Sequence, residues 1–285
     1  MFLLKDFYFI RLDQRAWLLL TFFISIPLLA NWVDQVERHF FGVAPGVVMS
    51  GRDFSGMLPE EVAADIEYLA IKHQKLPREP GLDKRTGKII DEAAGMVVDV
   101  PGSVNKILNA GAGQHLELET MAVYPQYSRK DLENAKQILG SYESWISGSY
   151  QRYSNIVLAS SCLNNSVVWP GEVFSFNETV GPRTVERGFM PAPVILMGAR
   201  GLDYGGGVCQ VSSTLYNTVL AGGLEIIERH QHSLPVHYVP AGRDATVAYD
   251  DIDLRFRNTS PGLVIIKAGV SGGKVWVQLW GGEKP

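Results

Sequence analysis

Gly205-Gly206-Gly207-Val208-Cys209-Gln210-Val211-Ser212-Ser213-Thr214 is the stretch whose pattern decides what kind of chain this is. Three consecutive glycines open a backbone path closed to other residues and let main-chain N–H groups approach a ligand closely. The run that follows has helical spacing, with Val211, Leu215, Val219 and Leu220 nearly on one face. A helix starting at Cys209 places its thiol in the positive field of a helix N-terminus, which favours thiolate over thiol. The same free N–H groups suit an oxyanion formed in acyl transfer. The competing expectation is packing alone: a small residue after three glycines permits close helix–sheet contact, with a buried and inert Cys209.

Downstream of this helix the pattern turns to strands, expected at 226–227, 236–239, 246–249, 254–256, 264–267 and 275–280. A Cys-bearing helix packed on a mainly antiparallel sheet follows, within an α+β fold class. Arg229-His230-Gln231-His232 puts two histidines at strand spacing, both on one face, with His237 beyond. Asp244 is the expected orienter of such a histidine, with Asp251 and Asp253 as alternatives. Cysteine on a helix, histidine downstream and then a polar orienter is the order used by papain-like amidases and transglutaminases. Catalytic candidates are therefore Cys209, His232, His230 and Asp244. Gly205, Gly206, Gly207, Gln210, Ser212 and Ser213 are candidate ligand contacts on the turn. Ser212 and Ser213 lack the Gly-x-Ser-x-Gly setting of a nucleophile elbow, so a serine enzyme is not expected. Arg183, Arg187 and Arg243 suit a carboxylate clamp, because guanidinium grips carboxylate with two parallel bonds; surface ion pairs are the plainer use. His230 and His232 could join a carboxylate around zinc, but spacing fixes no third ligand, and neither metal nor cofactor is expected.

Upstream, composition shifts toward Gly, Val and Asn near residue 149, where the domain 149–285 is placed, entered by a helix over 155–163. Ser128 with Asp131 reads as a capping box, so 126–148 is expected to be a connecting helix and hinge. Residues 45–125 read as a separate small α+β module. In it, Pro59 opens a helix with Val62, Ile66 and Leu69 inward, 76–85 is a loop, and strands at 89–90 and 96–98 flank a turn. Residues 16–33 are eighteen uncharged residues with Trp17 and Trp32 at the ends, the length and anchors of a membrane helix. Lys5, Arg11 and Arg15 precede it and Asp34 and Glu37 follow, which places residues 1–15 in the cytoplasm and the bulk of the chain outside. A cleaved signal peptide is the alternative.

The chain has 285 residues, 46% hydrophobic and 20% charged, enough for one large or two modest packed domains. With a formal charge of −4 and no basic run, nucleic acid is excluded as the expected partner. Cys162 and Cys209 are the two cysteines, too few for a disulfide scaffold, although one bridge between them is open to an extracytoplasmic chain. Cys162 is expected in the core.

Taken together, Pro170-Gly171-Glu172-Val173-Phe174-Ser175-Phe176-Asn177, then Val180-Gly181-Pro182-Arg183, residues 205–217, and Gly242-Arg243-Asp244-Ala245-Thr246-Val247 resemble the VanW family over roughly residues 149–267. Residues 45–125 more weakly resemble the peptidoglycan-binding type of module that often precedes such a domain, through Gly51-Arg52-Asp53-Phe54-Ser55-Gly56 and Pro59-Glu60-Glu61. One departure is at the domain entrance, where the family often has Asn-Arg-x-x-Asn-Ile and this chain has Gln151-Arg152-Tyr153-Ser154-Asn155-Ile156. The resemblance implies an extracytoplasmic, cell-wall-related protein with peptidoglycan or its precursors as partner. The expected chemistry is acyl transfer or amide hydrolysis centred on Cys209. The alternatives are a non-catalytic protein that uses the glycine turn to hold a carboxylate, and an adaptor for other envelope enzymes.

Overall fold

The computed structural model describes residues 29–196, 199–249 and 251–282. Most of the 16–33 segment expected to be a membrane helix lies outside them. Among the described residues no helix is long and apolar enough to cross a membrane. The chain is a mixed α+β protein that divides into two compact units, one containing residues 29–77 and 94–124, the other 78–93 and 125–282.

The first unit holds a helical stretch at 29–41 (α1), β1 (Val48–Met49), β2 (Arg52–Asp53), α2 (Pro59–His73), β5 (Gly95–Val98), α3 (Val100–Leu108), β6 (His115–Leu116) and β7 (Thr120–Val123). Pro59 starts α2 with its fixed φ, and the Glu61 carboxylate accepts from the Leu58 N–H at 2.9 Å. Val62, Ile66 and Leu69 are buried along one face, as their spacing predicts. Met49, Phe54, Ile66 and Ile107 form the fully buried centre.

The expected continuous module over 45–125 differs from what is found. Residues 78–93 form a hairpin, β3 (Gly81–Leu82) with β4 (Ile89–Ile90), that belongs to the second unit. Strands 89–90 and 96–98 therefore do not share a turn: β5 pairs instead with β7. Leu82 and Ile89 pack with Leu132, Leu263 and Ile265, which gives the hairpin a core of its own.

The second unit is built on a four-stranded antiparallel sheet in the order β8-β16-β15-β9, with β8 at Gln137–Trp145, β9 at Ser166–Val168, β15 at Val264–Ser271 and β16 at Lys274–Gly281. The C-terminal strand thus lies in the interior of the sheet. Val275, Val277 and Leu279 of β16 alternate inward onto helices α5 (Tyr150–Leu163) and α7 (Val208–Ala221). A second antiparallel sheet, β10-β14-β13, joins Val173–Ser175, Arg255–Arg257 and Glu225–Glu228. The hairpin β11–β12 pairs Pro191–Leu196 with Ala199–Tyr204, and α6 spans Phe176–Val180.

The expected connecting helix over 126–148 is corrected. The capping signal is real, with the Ser128 N–H donating to Asp131 at 2.7 Å, but α4 ends after Arg129–Glu133 and the chain becomes strand β8. Gly140 lies on this strand where it meets α7. A Cβ there would stand 2.6 Å from the Gly222 nitrogen and press on the Thr218 carbonyl of α7. Only a glycine in an extended strand lets α7 lie this close.

Gly140→Ala is expected to force α7 off the sheet and to destabilise the protein by about 1–3 kcal/mol. Urea unfolding checks this, and an unchanged midpoint would contradict the close approach.

Candidate active site around Cys209

The glycine turn starts α7 as its sequence suggests, with Gly207 as N-cap at φ 109° and Gly205 at φ 80°, both in the region that favours glycine. Gly206 has a different reason to lack a side chain: a Cβ would meet the Ala192 carbonyl oxygen of β11 at 2.5 Å. Asn155 of α5 fixes the turn from behind, donating to the Gly206 carbonyl at 3.0 Å and to the Met190 carbonyl at 2.8 Å. Of the first helical amides, those of Val208 and Gln210 are engaged by the Gly205 and Gly207 carbonyls, at 2.9 and 3.0 Å. Between them lies Cys209, half-buried on the wall of a cavity of about 1130 Å³. Both cysteines are free thiols, and Cys162 packs against the core.

The polar face of α7 organises the opposite wall. The Ser213 hydroxyl accepts from the Ala245 N–H at 2.9 Å, the Ser212 hydroxyl donates to the Ala245 carbonyl at 2.6 Å, and Asn217 donates to the Arg243 carbonyl at 2.7 Å. Segment 243–246 is thereby tied to the helix. Asp244, buried within it, accepts from both the backbone N–H and the Nδ1 of His232, each at 2.7 Å. Arg229 braces the same aspartate, donating to its carbonyl at 2.7 Å and to its carboxylate at 3.2 Å. With Nδ1–H donating to Asp244, the His232 Nε2 is left toward the Tyr238 hydroxyl, 3.4 Å away.

Cys209 and His232 line the same cavity, where the Cys209 sulfur lies 3.6 Å from the Thr246 hydroxyl and 3.5 Å from the Val247 carbonyl oxygen. Burial pushes the Cys209 thiol up, but the hydrogen bond and charge of His232, with contributions from Val247 and Thr246, prevail and hold it below the ordinary thiol value. Burial pushes His232 down, yet Cys209 and Asp244 together hold it above the ordinary imidazole value. Asp244 is raised by burial and lowered more by the two His232 hydrogen bonds, so it stays ionised. Both shifts act in the direction of a thiolate–imidazolium pair beside the Asp244 carboxylate, the combination a cysteine nucleophile uses.

Several expected site residues have other places. His230 meets Glu228 at 3.1 Å on the exposed side, away from His232, because β13 ends at Glu228 and the chain from 229 onward is irregular. The strands expected at 236–239 and 246–249 are absent there; isolated bridges join His230 to Thr246 and Ala248 to Ile252. Ser212 and Ser213 are fully buried, their hydroxyls engaged as described, and do not line the cavity. Gln210 is almost fully buried and acts as a strut, donating to Ser144 and to the Trp145 carbonyl and accepting from Arg152. Arg243 is exposed and outside the cavity lining, whereas Arg183, Gly205 and Gly207 are part of it. Arg187 donates to the Pro182 carbonyl at 3.1 Å. Asp253 is turned to Ser175 and Asn177, and Asp251 is exposed at the cavity wall. Tyr238, Arg152, Arg229 and Asn155 were not among the sequence candidates; Arg229 adjoins the histidine motif, but no spacing rule marks Tyr238 or Arg152.

The VanW like protein family matches residues 151–280. The Bacillus subtilis (strain 168) protein described as uncharacterized protein YoaR is 35% identical over 242 residues, covering 81% of this chain and 80% of that protein. The vancomycin B-type resistance protein VanW of Enterococcus faecalis is 29% identical over 136 residues, 46% of this chain and 50% of that protein. No solved structure matches the chain.

A lowered thiol extends the pH range in which Cys209 is thiolate, and a raised imidazole extends the range in which His232 is charged. Alkylation of Cys209, followed by peptide mapping, is expected to gain rate with a midpoint below the free-thiol range of about 8.5. Asp244→Asn removes the charge that favours imidazolium, so the midpoint should move up by about one pH unit or more. A wild-type midpoint at or above that range would contradict the ion pair.

Proposed function

The chain belongs to the VanW family, and from that premise we propose that it is a cell-envelope protein whose Cys209 attacks a peptide carbonyl of peptidoglycan or its precursors. The observation that carries this reading is the Asp244-bound His232 and the Cys209 thiol on the wall of one cavity roomy enough for a peptide. The Cys209 thiolate attacks the amide carbon, forming the C–S bond while the carbonyl electrons move to oxygen. The N-terminal field of α7 and the Cys209 amide favour that oxyanion. Collapse breaks the C–N bond, and the His232 Nε2–H delivers its proton to the departing amine. Water or an acceptor amine then attacks the thioester, giving its proton to Nε2 and restoring the thiolate. Asp244, braced by Arg229, holds the imidazole in the tautomer both steps need.

The uncharged run 16–33, with basic residues before it and Asp34 and Glu37 after it, supports a single-pass tether that leaves the N-terminus in the cytoplasm and both units outside. Stem peptides near the membrane are then within reach. A second reading, in which the site holds a carboxylate without reacting, has the support of Arg183 in the cavity wall.

Incubating the full chain with stem peptides should give a mass increase at Cys209 equal to the acyl fragment, absent in Cys209→Ala. His232→Ala should lower turnover by roughly 10³-fold or more. A Cys209→Ala protein that retains full function in cells would favour holding over chemistry.

A further inference from the structure

The glycines of the turn make room for two arginines as well as for a helix end. A Cβ on Gly205 would stand 2.7 Å from Arg183 Cγ, and one on Gly207 would stand 3.0 Å from Arg152 Cγ. Each arginine stem therefore lies against one glycine of the turn that presents Cys209, and both residues line the same cavity as the thiol. Their partners are neutral. Arg183 donates to the Gly181 carbonyl at 3.0 Å and to Asn177 Oδ1 at 2.7 Å; Arg152 donates to the Ser147 carbonyl at 3.1 Å and to Gln210 Oε1 at 2.7 Å. Among the described residues neither makes an ion pair, although both are half-buried.

Burial works against both guanidinium charges, and a Cys209 thiolate is an anion that favours both, joined by Asp253 for Arg183. Acylation of Cys209 removes the thiolate charge and leaves two cations facing the cavity. The acidic residues of the lining, Glu143, Asp203 and Asp251, are exposed, and Glu143 is held by Lys274. Positive charge thus sits beside the sulfur and negative charge toward solvent.

We propose that Arg152 and Arg183 form a carboxylate-binding subsite flanking Cys209, so that the acyl compound accepted there carries a free carboxylate near the carbonyl under attack. The proposal rests on Cys209 being the nucleophile. A guanidinium pair held by neutral partners is preorganised for carboxylate, and an uncharged analogue leaves it without its counter-charge.

Iodoacetate and iodoacetamide test this directly. Both alkylate by the same step, in which the thiolate forms an S–C bond and iodide leaves, and they differ in carrying a carboxylate or a neutral amide. The ratio of their rates at Cys209, mapped apart from Cys162 in the full chain near neutral pH, is independent of the thiolate fraction. It is expected to exceed the ratio for glutathione by about tenfold or more. Arg183→Gln and Arg152→Gln should each bring it down toward the glutathione ratio, with Arg183→Lys intermediate. A wild-type ratio at or below that of glutathione overturns the subsite while leaving the nucleophile intact, and needs no variant to fold. A ratio unchanged in both glutamine variants overturns it as well. If neither reagent labels Cys209 near neutral pH, the nucleophile itself fails and the subsite fails with it.

Discussion

The closeness of the Gly205–Gly207 turn to its neighbours is the constraint on which the rest of the second unit depends. Within three residues the backbone passes the β11 carbonyl of Ala192, the stem of Arg183 and the stem of Arg152, each too near to admit a Cβ. Asn155 holds the Gly206 carbonyl from the opposite side. The start of α7 therefore has little freedom, and Cys209 inherits that fixed position. Backbone contact gives the turn a precision that longer side chains, with more rotamers to order, would not.

α7 serves both core and site. Val211, Leu215 and Val219 are fully buried toward the sheet, while Ser212, Ser213 and Asn217 bind a stretch of irregular chain through its peptide groups. That stretch carries Asp244, and Asp244 in turn places His232. A buried polar network of this kind is stable only with its members satisfied, so it behaves as a unit and leaves the imidazole one arrangement. The serines and asparagine act on His232 through the loop they hold and are not part of the cavity lining.

Much of this was legible in the sequence where a pattern had one structural meaning. Helix α7, strands β15 and β16, and α2 follow from periodicity, and the glycine turn pointed to the location of the site. Other patterns had two meanings. From 231 to 238 the residues alternate outward and inward, with His232, Leu234, Val236 and Tyr238 the less exposed, as in a strand. No ladder forms there: the segment is irregular chain, and 235–238 line the cavity. The 137–145 stretch was obscured by the capping signal before it, and Gly140 was the clue that a close contact was needed. His232 could not be separated from His230 because what distinguishes them is the partner each finds, Asp244 or Glu228. Arg152 carried no local signal, since its importance comes from Gly207, more than fifty residues away in sequence.

The order of strands in the main sheet bears on what a partly made chain can do. β16 follows the other three strands in sequence yet stands between β8 and β15, and it supplies Val277, whose carbonyl accepts from Thr218 of α7. Until those residues emerge, β8 has no neighbour in the sheet and α7 lacks the surface that seats it. A chain stopped before β16 thus leaves α7, and the Cys209 it carries, without its seat on the sheet. The position of the thiol is completed by a strand that the chain supplies more than fifty residues after it.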